Sequence, residues 1–182
     1  NIKTTLERFG NHFDTWFSEK SLYDKPIDGK NQIELCLDKL QDKGLLFEKE
    51  DALWFKSSEL GDEKYRVLIK ADGDFTYFTS DIAYHINKTD RGFDHLIDIW
   101  GADHHGYIQR CEAAMDALGH SGSLEVILGQ MVKLFRDGKT VRMSKRIGEM
   151  VSFQELIKEV GVDATRYLML MCSTDQPINF DI

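Results

Sequence analysis

The spacing of apolar residues predicts a small mixed subdomain over residues 1–64. Within residues 31–43, apolar side chains recur at helical spacing, and Gly44 follows as a stop signal. Two short apolar runs at 45–47 and 53–55 flank a charged turn, which is typical of a β-hairpin. A helix followed by a hairpin indicates an α+β insertion on the N-terminal side of a larger fold.

The pattern changes after this point, because strand-like and helix-like segments alternate from residue 65 to about residue 135. The runs at 65–69 and 95–100 predict buried strands, whereas 79–91 and 105–118 carry apolar residues at helical spacing. This alternation is typical of βαβ units with a parallel sheet. We therefore predict an α/β fold whose sheet domain covers residues 65–150.

The last stretch, residues 151–182, is predicted to be helical. Ser152 and Glu155 form a capping-box pattern that begins one helix, and Gly161 ends it. Asp163 is then expected to cap a second helix, whose inward face is predicted to carry Ala164, Tyr167, Leu168 and Met171.

The composition excludes several classes of protein. Of 182 residues, 42% are hydrophobic and 30% charged, and no apolar run approaches the ~20 residues of a membrane span. Three cysteines without Cys-x-x-Cys spacing favour neither a disulfide framework nor a zinc knuckle, and they suit a reducing cytoplasm. The net charge of −8 argues against a surface that grips nucleic acid everywhere. Because the chain begins with Asn1 and shows no leader pattern, we expect it to be part of a longer protein.

A basic loop at 139–146 is the first candidate for chemistry. It contains Met143, Ser144 and Lys145, and a lysine ammonium is a compact point charge that can follow charge as it builds on a polyphosphate. The alternative is a solvated hairpin tip, which is the usual explanation for a lysine-rich loop.

Small and polar residues follow the predicted strand at 95–100. Gly101 would let a ribose approach the backbone, and the Asp103 carboxylate could accept hydrogen bonds from both ribose hydroxyls at the carboxyl edge of the sheet. Asp103 could equally cap the helix that follows. His104 and His105 are adjacent, so their side chains diverge, and without a further ligand at suitable spacing we expect no metal site.

Tyr77 and Asp81 lie four residues apart near the start of a predicted helix for which Thr79 is the candidate N-cap. A phenol and a carboxylate there could hold a cation, and a planar guanidinium would fit the carboxylate bidentately. On spacing alone, the favoured alternative is a first-turn Asp81 that only stabilises its helix through the helix dipole.

Four blocks in order resemble arginyl-tRNA synthetases of the bacterial type. They are Tyr-Phe-Thr-Ser-Asp-Ile-Ala-Tyr at 77–84, Gly-Ala-Asp-His-His-Gly-Tyr at 101–107, Met-Ser-Lys-Arg at 143–146 and Gly-Val-Asp-Ala-Thr-Arg-Tyr at 161–167. The resemblance extends over most of the chain. It implies a class I catalytic fold, in which a connective insertion splits a Rossmann-type parallel sheet and this chain supplies the second half.

The resemblance also implies a function and a set of site residues. The enzyme would join arginine to ATP, supplied with Mg²⁺ as substrate, and then transfer arginine from arginyl-adenylate to tRNA(Arg). Tyr77, Asp81 and His104 would bind arginine. The residues that would bind ATP are Gly101, Asp103, Met143, Ser144 and Lys145, with Lys145 on the phosphates as the catalytic lysine. A cytoplasmic enzyme without a membrane partner is implied, consistent with a monomeric parent protein.

The sequence departs from the family's pattern at two places. Arg142 and Arg146 replace the first lysine and the last serine of the KMSKS signature, so the charge is kept at the first position and the final hydroxyl is lost. The second signature, His-x-Gly-His, does not occur in the 182 residues. We therefore expect this chain alone to be inactive, with residues 151–182 leading to an anticodon-binding domain. Another class I enzyme and a non-catalytic tRNA- or nucleotide-binding homologue are the alternatives.

Overall fold

The computed structural model describes residues 2–24, 29–141 and 152–182. The helices are α1 (Ile2–Arg8), α2 (Gln32–Asp42), α3 (Tyr77–Asp90), α4 (Ile108–Ala117), α5 (Phe153–Glu159) and α6 (Val162–Leu170). The strands are β1 (Leu46–Lys49), β2 (Ala52–Phe55), β3 (Arg66–Ile69), β4 (Leu96–Gly101), β5 (Leu124–Gly129), β6 (Val132–Arg136), β7 (Lys139–Thr140) and β8 (Ile178–Asp181). Short 3₁₀ helices span Glu19–Leu22, Ser57–Leu60 and Ala102–Tyr107.

The chain divides into two compact units. One comprises the described residues of Asn1–Trp16, Trp100–Ala102 and Leu128–Ile182, and the other comprises those of Phe17–Ile99 and Asp103–Ile127.

In the second of these units, β1, β2 and β3 form an antiparallel sheet. The predicted hairpin is confirmed, with Leu46 opposite Phe55 in the β1–β2 pair. The expectation that the strand at 65–69 opens the parallel sheet is wrong, because β3 pairs antiparallel with β2. Leu46, Phe55 and Leu68 are buried, so apolar packing holds the sheet to its unit.

The predicted helix at 31–43 is confirmed as α2. Asn31 accepts a hydrogen bond from the backbone N–H of Glu34, and the Glu34 carboxylate accepts one from the backbone N–H of Asn31, which completes a capping box. The buried side chains of α2 include Cys36, and α2 packs against α3. Burial raises the pKa of the Cys36 thiol to about 12, so this thiol stays protonated and unreactive.

A buried ion pair fixes the chain just before β3. The Arg66 guanidinium donates to both carboxylate oxygens of Asp62, at 2.6 Å each. Burial opposes ionisation of Asp62, but the hydrogen bonds from Arg66, Ser57 and the backbone of Glu63 together outweigh it, and the pKa of Asp62 is lowered. The pair therefore holds the start of β3 in a defined position.

The parallel sheet predicted from the alternating pattern is confirmed in β4 and β5. At the start of β4, the backbone N–H of Leu96 donates to the carbonyl of Ser123, the residue before β5, at 2.7 Å. α4 connects the two strands, and its buried residues include Cys111 and Met115. This βαβ arrangement places the residues after Gly101 at the carboxyl edge of β4, where α/β sheets bind ligands.

In the other unit, β6 pairs antiparallel with β7 and parallel with β8. The prediction that residues 151–182 are helical is wrong for Ile178–Asp181, because the backbone of this segment pairs with β6 as the strand β8. Leu134, Leu156 and Phe180 form its buried core. The capping box predicted at Ser152 is confirmed, since the Ser152 hydroxyl accepts from the N–H of Glu155.

The prediction for the helix after Gly161 is partly wrong. Gly161, not Asp163, occupies the N-cap position of α6. Thr165 is fully buried, whereas all four residues predicted to face inward are exposed: Ala164, Tyr167, Leu168 and Met171. Arg166 of α6 donates to the carbonyl of Phe9 at 2.8 Å, so this helix is tied to the chain after α1.

Among the described residues, no helix is both long and apolar enough to cross a membrane. The same part of the chain brings together no group of three or more His, Cys, Asp or Glu side chains that could hold a metal ion.

Candidate active site

The helix that carries the candidate arginine site starts earlier than predicted. α3 begins at Tyr77, with Thr76 at the N-cap position. Thr79 is not the N-cap, because it lies inside the helix and its hydroxyl donates to the carbonyl of Leu68 at 2.6 Å. This buried bond joins α3 to β3 and fixes the first turn of the helix.

The sequence predicts Asp81 in the first turn of this helix. In the structure Asp81 is the fifth residue of α3, so it lies beyond the first turn and that prediction is wrong. The phenol of Tyr107 donates a hydrogen bond to Asp81 Oδ2 at 2.8 Å, which holds the half-buried carboxylate. Burial raises the pKa of Asp81, and the hydrogen bond from Tyr107 and the charge of His85 offset only part of this rise. A half-buried carboxylate outside the first turn contributes little through the helix dipole. The helix-stabilising alternative is therefore weakened.

Tyr77 and Asp81 share one face of the helix because four residues separate them. Tyr77 is 86% exposed, an unusual environment for a large aromatic side chain. An exposed phenol one turn from a half-buried carboxylate forms a polar surface that can receive a cationic ligand.

The 3₁₀ segment Ala102–Tyr107 carries the next two candidates. The side chains of Asp103 and His104 are 72% and 63% exposed, and His104 Nε2 lies 3.8 Å from Asp103 Oδ2. Asp103 does not cap the following helix, because α4 begins at Ile108 with Tyr107 at its N-cap position. Both side chains remain accessible at the carboxyl end of β4, whose last residue is Gly101.

The structure thus brings three of the predicted site residues, Tyr77, Asp81 and His104, onto two elements that are joined by a hydrogen bond. Tyr77 and Asp81 share α3, and the segment with His104 reaches Asp81 through the phenol of Tyr107. The first two residues of the basic loop form the strand β7, whereas its residues 142–146, which include Met143, Ser144 and Lys145, lie outside the described residues.

A polar network that was not predicted from the sequence contacts the backbone of Asp81 and consists of His85, Lys88 and Asp98. His85 Nδ1 lies 2.7 Å from the carbonyl oxygen of Asp81, and His85 Nε2 lies 2.7 Å from Asp98 Oδ2. Lys88 donates to Asp98 Oδ1 at 2.7 Å. The network connects β4 with the turn of α3 that carries Asp81. Two signals were available: Asp98 interrupts an apolar strand, and His85 follows Asp81 by one helical turn.

The pKa of Asp98 gives this network a measurable effect. Burial opposes ionisation of Asp98, but the hydrogen bonds from His85 and Lys88 prevail and lower its pKa to about 2, from an ordinary value of 3.8. A carboxylate with a lowered pKa in the folded state stabilises the protein above pH 3.8, and this contribution is lost as the pH falls towards 2.

We expect Asp98→Asn to lower the free energy of unfolding by about 2 kcal/mol at pH 7, which is the pKa difference converted to energy. The gap between variant and parent should narrow as the pH falls from 4 to 2. Denaturant unfolding at several pH values measures this. Asp94→Asn, at an exposed position nearby, is the matched control and should change stability by under ~0.5 kcal/mol. Equal effects of the two substitutions would contradict the account of the network.

The fold and the candidate site together define a class of protein. A parallel β4–β5 pair, with polar residues at its carboxyl edge and a carboxylate held on the neighbouring helix, is typical of an α/β domain that binds a small polar ligand.

The chain belongs to the family of tRNA synthetases class I (R), catalytic domain, whose model matches residues 4–175. It is 52% identical over 182 residues to the arginine–tRNA ligase of Listeria welshimeri, and 53% identical over 183 residues to that of Oceanobacillus iheyensis. All of the chain is covered in both comparisons, but only 32% of either relative, so the chain spans about a third of their length.

A solved structure of a candidate arginyl-tRNA synthetase from Campylobacter jejuni has the same fold. It is 41% identical and superposes with a TM-score of 0.86, covering 99% of this chain and 38% of the other. The family and the Rossmann-type fold predicted from the four sequence blocks are therefore confirmed.

Proposed function

We propose that the protein containing this chain is an arginine–tRNA ligase, which forms arginyl-adenylate from arginine and ATP and transfers arginine to the 3′ end of tRNA(Arg). Family membership and the relatives' names support the proposal. The observation that carries it is the Asp81 carboxylate, which is half-buried and held by Tyr107 one turn from the exposed Tyr77.

In this proposal Asp81 accepts two parallel hydrogen bonds from the planar guanidinium of arginine. A half-buried carboxylate suits this role, because reduced access of water strengthens a charged hydrogen bond. Tyr77 lies on the same helical face and contacts the arginine side chain. His104, which is exposed on the neighbouring 3₁₀ segment, would contact the amino-acid end of the substrate.

The nucleotide occupies the carboxyl edge of β4. Gly101 allows close approach of the adenosine, and Asp103 accepts hydrogen bonds from its ribose. Met143, Ser144 and Lys145 belong to a KMSKS-like loop over the phosphates. ATP enters with Mg²⁺ as a substrate, and no resident metal is part of the proposal.

The chemistry that these groups support is an in-line displacement at phosphorus. A carboxylate oxygen of arginine attacks the α-phosphate of ATP, a C–O–P anhydride bond forms, and the bond to the β-phosphate breaks as pyrophosphate leaves with the electron pair. Positive charge from Lys145 follows the charge that develops on the phosphate oxygens.

The organisation of the chain is part of the same proposal. Residues 1–64 would form the connective insertion and residues 65–150 the second half of the catalytic domain. Residues 151–182, with α5, α6 and β8, would form the segment that leads to an anticodon-binding domain. The protein would act in the cytoplasm as a monomer, with arginine, ATP and tRNA(Arg) as its partners.

Attachment of radiolabelled arginine to tRNA tests the proposal. The full-length protein should transfer arginine to acid-precipitable tRNA only when ATP and Mg²⁺ are present. The 182-residue chain assayed beside it should transfer none, because it lacks the His-x-Gly-His signature. A full-length protein that binds tRNA but never charges it would contradict the proposal and favour the non-catalytic homologue.

A further inference from the structure

Tyr107 contacts the candidate arginine site without being one of the residues that the sequence assigned to it. It is the last residue of the 3₁₀ segment, and its hydroxyl lies 2.8 Å from Asp81 Oδ2. An ionised carboxylate can only accept, so the phenol is the donor in this bond. Burial raises the pKa of Tyr107, and the charge of Asp81 raises it further, so the hydroxyl keeps its proton throughout the range in which enzymes work.

Two packing contacts restrain the ring of Tyr107 and so the direction in which its hydroxyl points. Its ring meets the ring of Phe78 edge-to-face, with centroids 5.8 Å apart and planes at 89°. The guanidinium of Arg110 lies 4.5 Å from the centroid of the Tyr107 ring. Because Phe78 is itself buried in α3, the phenol has a rigid support on the same helix as Asp81.

The carboxylate of Asp81 needs such support to recognise a guanidinium. Two parallel hydrogen bonds require the carboxylate plane to match the plane of the guanidinium fork, and rotation about the side-chain bonds of Asp81 would destroy that match. A donor on one carboxylate oxygen restricts this rotation. Each carboxylate oxygen has two acceptor positions, so an oxygen bonded to Tyr107 can still accept from a ligand.

We propose that Tyr107 is a positioning residue, which orients the Asp81 carboxylate for bidentate binding of the arginine guanidinium and so sets the affinity for arginine. This inference rests on the proposed function of the site. Tyr107 acts through Asp81 and does not contact the reacting carboxylate or phosphate. Its removal should therefore weaken arginine binding and leave the chemical step and ATP binding unchanged.

Tyr107→Phe in the full-length protein tests the inference, because it removes the hydroxyl and keeps the ring with its contacts to Phe78 and Arg110. We expect the KM for arginine to rise about tenfold, as the loss of a charge-assisted hydrogen bond predicts. The kcat at saturating arginine and the KM for ATP should change less than about twofold, a pattern that removal of ground-state binding produces.

Tyr84→Phe is the matched control. Tyr84 lies on the same helix, where its ring stacks on Phe17 with centroids 4.4 Å apart and Lys88 lies 4.6 Å from its centroid. Among the described residues, the Tyr84 hydroxyl makes no hydrogen bond to the Asp81 carboxylate, so the substitution removes the same atom without removing a donor to that carboxylate. We expect all kinetic constants of this variant to stay within about twofold of those of the unsubstituted full-length protein. Melting temperatures of both variants separate a local effect from loss of the fold.

A double-mutant cycle with Asp81→Asn distinguishes positioning from a general structural effect. If Tyr107 acts through the carboxylate, Tyr107→Phe should add little to the KM for arginine once Asp81→Asn is present. An undiminished tenfold effect in that background would overturn the inference, and so would a Tyr107→Phe variant that behaves like Tyr84→Phe while Asp81→Asn raises the KM. If Asp81→Asn alone leaves the KM for arginine unchanged, the proposed arginine site itself fails.

Discussion

Asp81→Asn should raise the KM for arginine by tens-fold or more in the full-length protein and leave the KM for ATP nearly unchanged. Asparagine keeps the size of the side chain but removes its charge and replaces one acceptor with a donor. Truncating one partner of a buried, hydrogen-bonded charge pair costs about 2–5 kcal/mol. This is the largest effect that the account predicts for a single side chain.

The alternative role of Asp81, helix stabilisation, makes a different prediction. It would give normal arginine saturation and a lowered melting temperature, with a loss of about 1 kcal/mol or less. Asp90→Asn, at the exposed last residue of α3, is the matched control and should leave arginine kinetics unchanged. Arginine saturation curves measured beside melting curves separate the two roles. A normal KM with a lower melting temperature would contradict arginine binding by Asp81.

Lowering the pH should weaken arginine binding by the protein without substitutions, as Asp81→Asn does. Burial raises the pKa of Asp81, and Tyr107 and His85 compensate only partly. Because the ionised carboxylate binds the guanidinium, arginine affinity should fall as the pH drops, beginning at a higher pH than an exposed aspartate would require.

Lys145→Ala should lower the rate of adenylate formation more than it weakens arginine binding. The phosphate charge that Lys145 would meet is redistributed mainly in the transition state, so its loss appears in kcat. Removing one such charge contact costs roughly 2–4 kcal/mol, or about 30- to 1000-fold in rate. Lys158→Ala, at an exposed position on α5, is the control and should be neutral.

Single-turnover formation of arginyl-adenylate measures this effect directly. A Lys145→Ala variant with a normal rate and only a raised KM for arginine would contradict the assignment of Lys145 to the phosphates.

Local signals in the sequence predicted much of the fold. The helix at α2 and the β1–β2 hairpin depend on short-range periodicity and turn residues, and the structure confirms both. The capping box at Ser152 is equally local and is also confirmed. In each case the interactions that define the element lie within a few residues of one another.

Two of the errors concern partners that are distant along the chain. The apolar run of β3 indicates a strand, but its antiparallel pairing with β2 depends on contacts that periodicity does not encode. The start of α3 was misplaced because the hydroxyl of Thr79 bonds to the carbonyl of Leu68 and does not cap the helix.

The candidate site was only partly predictable for the same reason. Tyr77 and Asp81 could be paired from the sequence because they lie four residues apart, and the motif block at 77–84 predicts that they bind arginine. The supporting residues lie on other elements: Tyr107 reaches Asp81 from a 3₁₀ segment, and Asp98 reaches His85 from β4. Their roles follow from the fold, which brings these side chains together.

Calorimetric titration of the full-length protein with arginine and with citrulline tests most directly whether Asp81 recognises a guanidinium. Citrulline has nearly the same shape, but its urea group is uncharged and carries an oxygen in place of one donor nitrogen. Arginine should bind at least tens-fold more tightly than citrulline, and Asp81→Asn should remove most of that preference. Equal binding of the two ligands, or an unchanged preference in Asp81→Asn, would contradict the account.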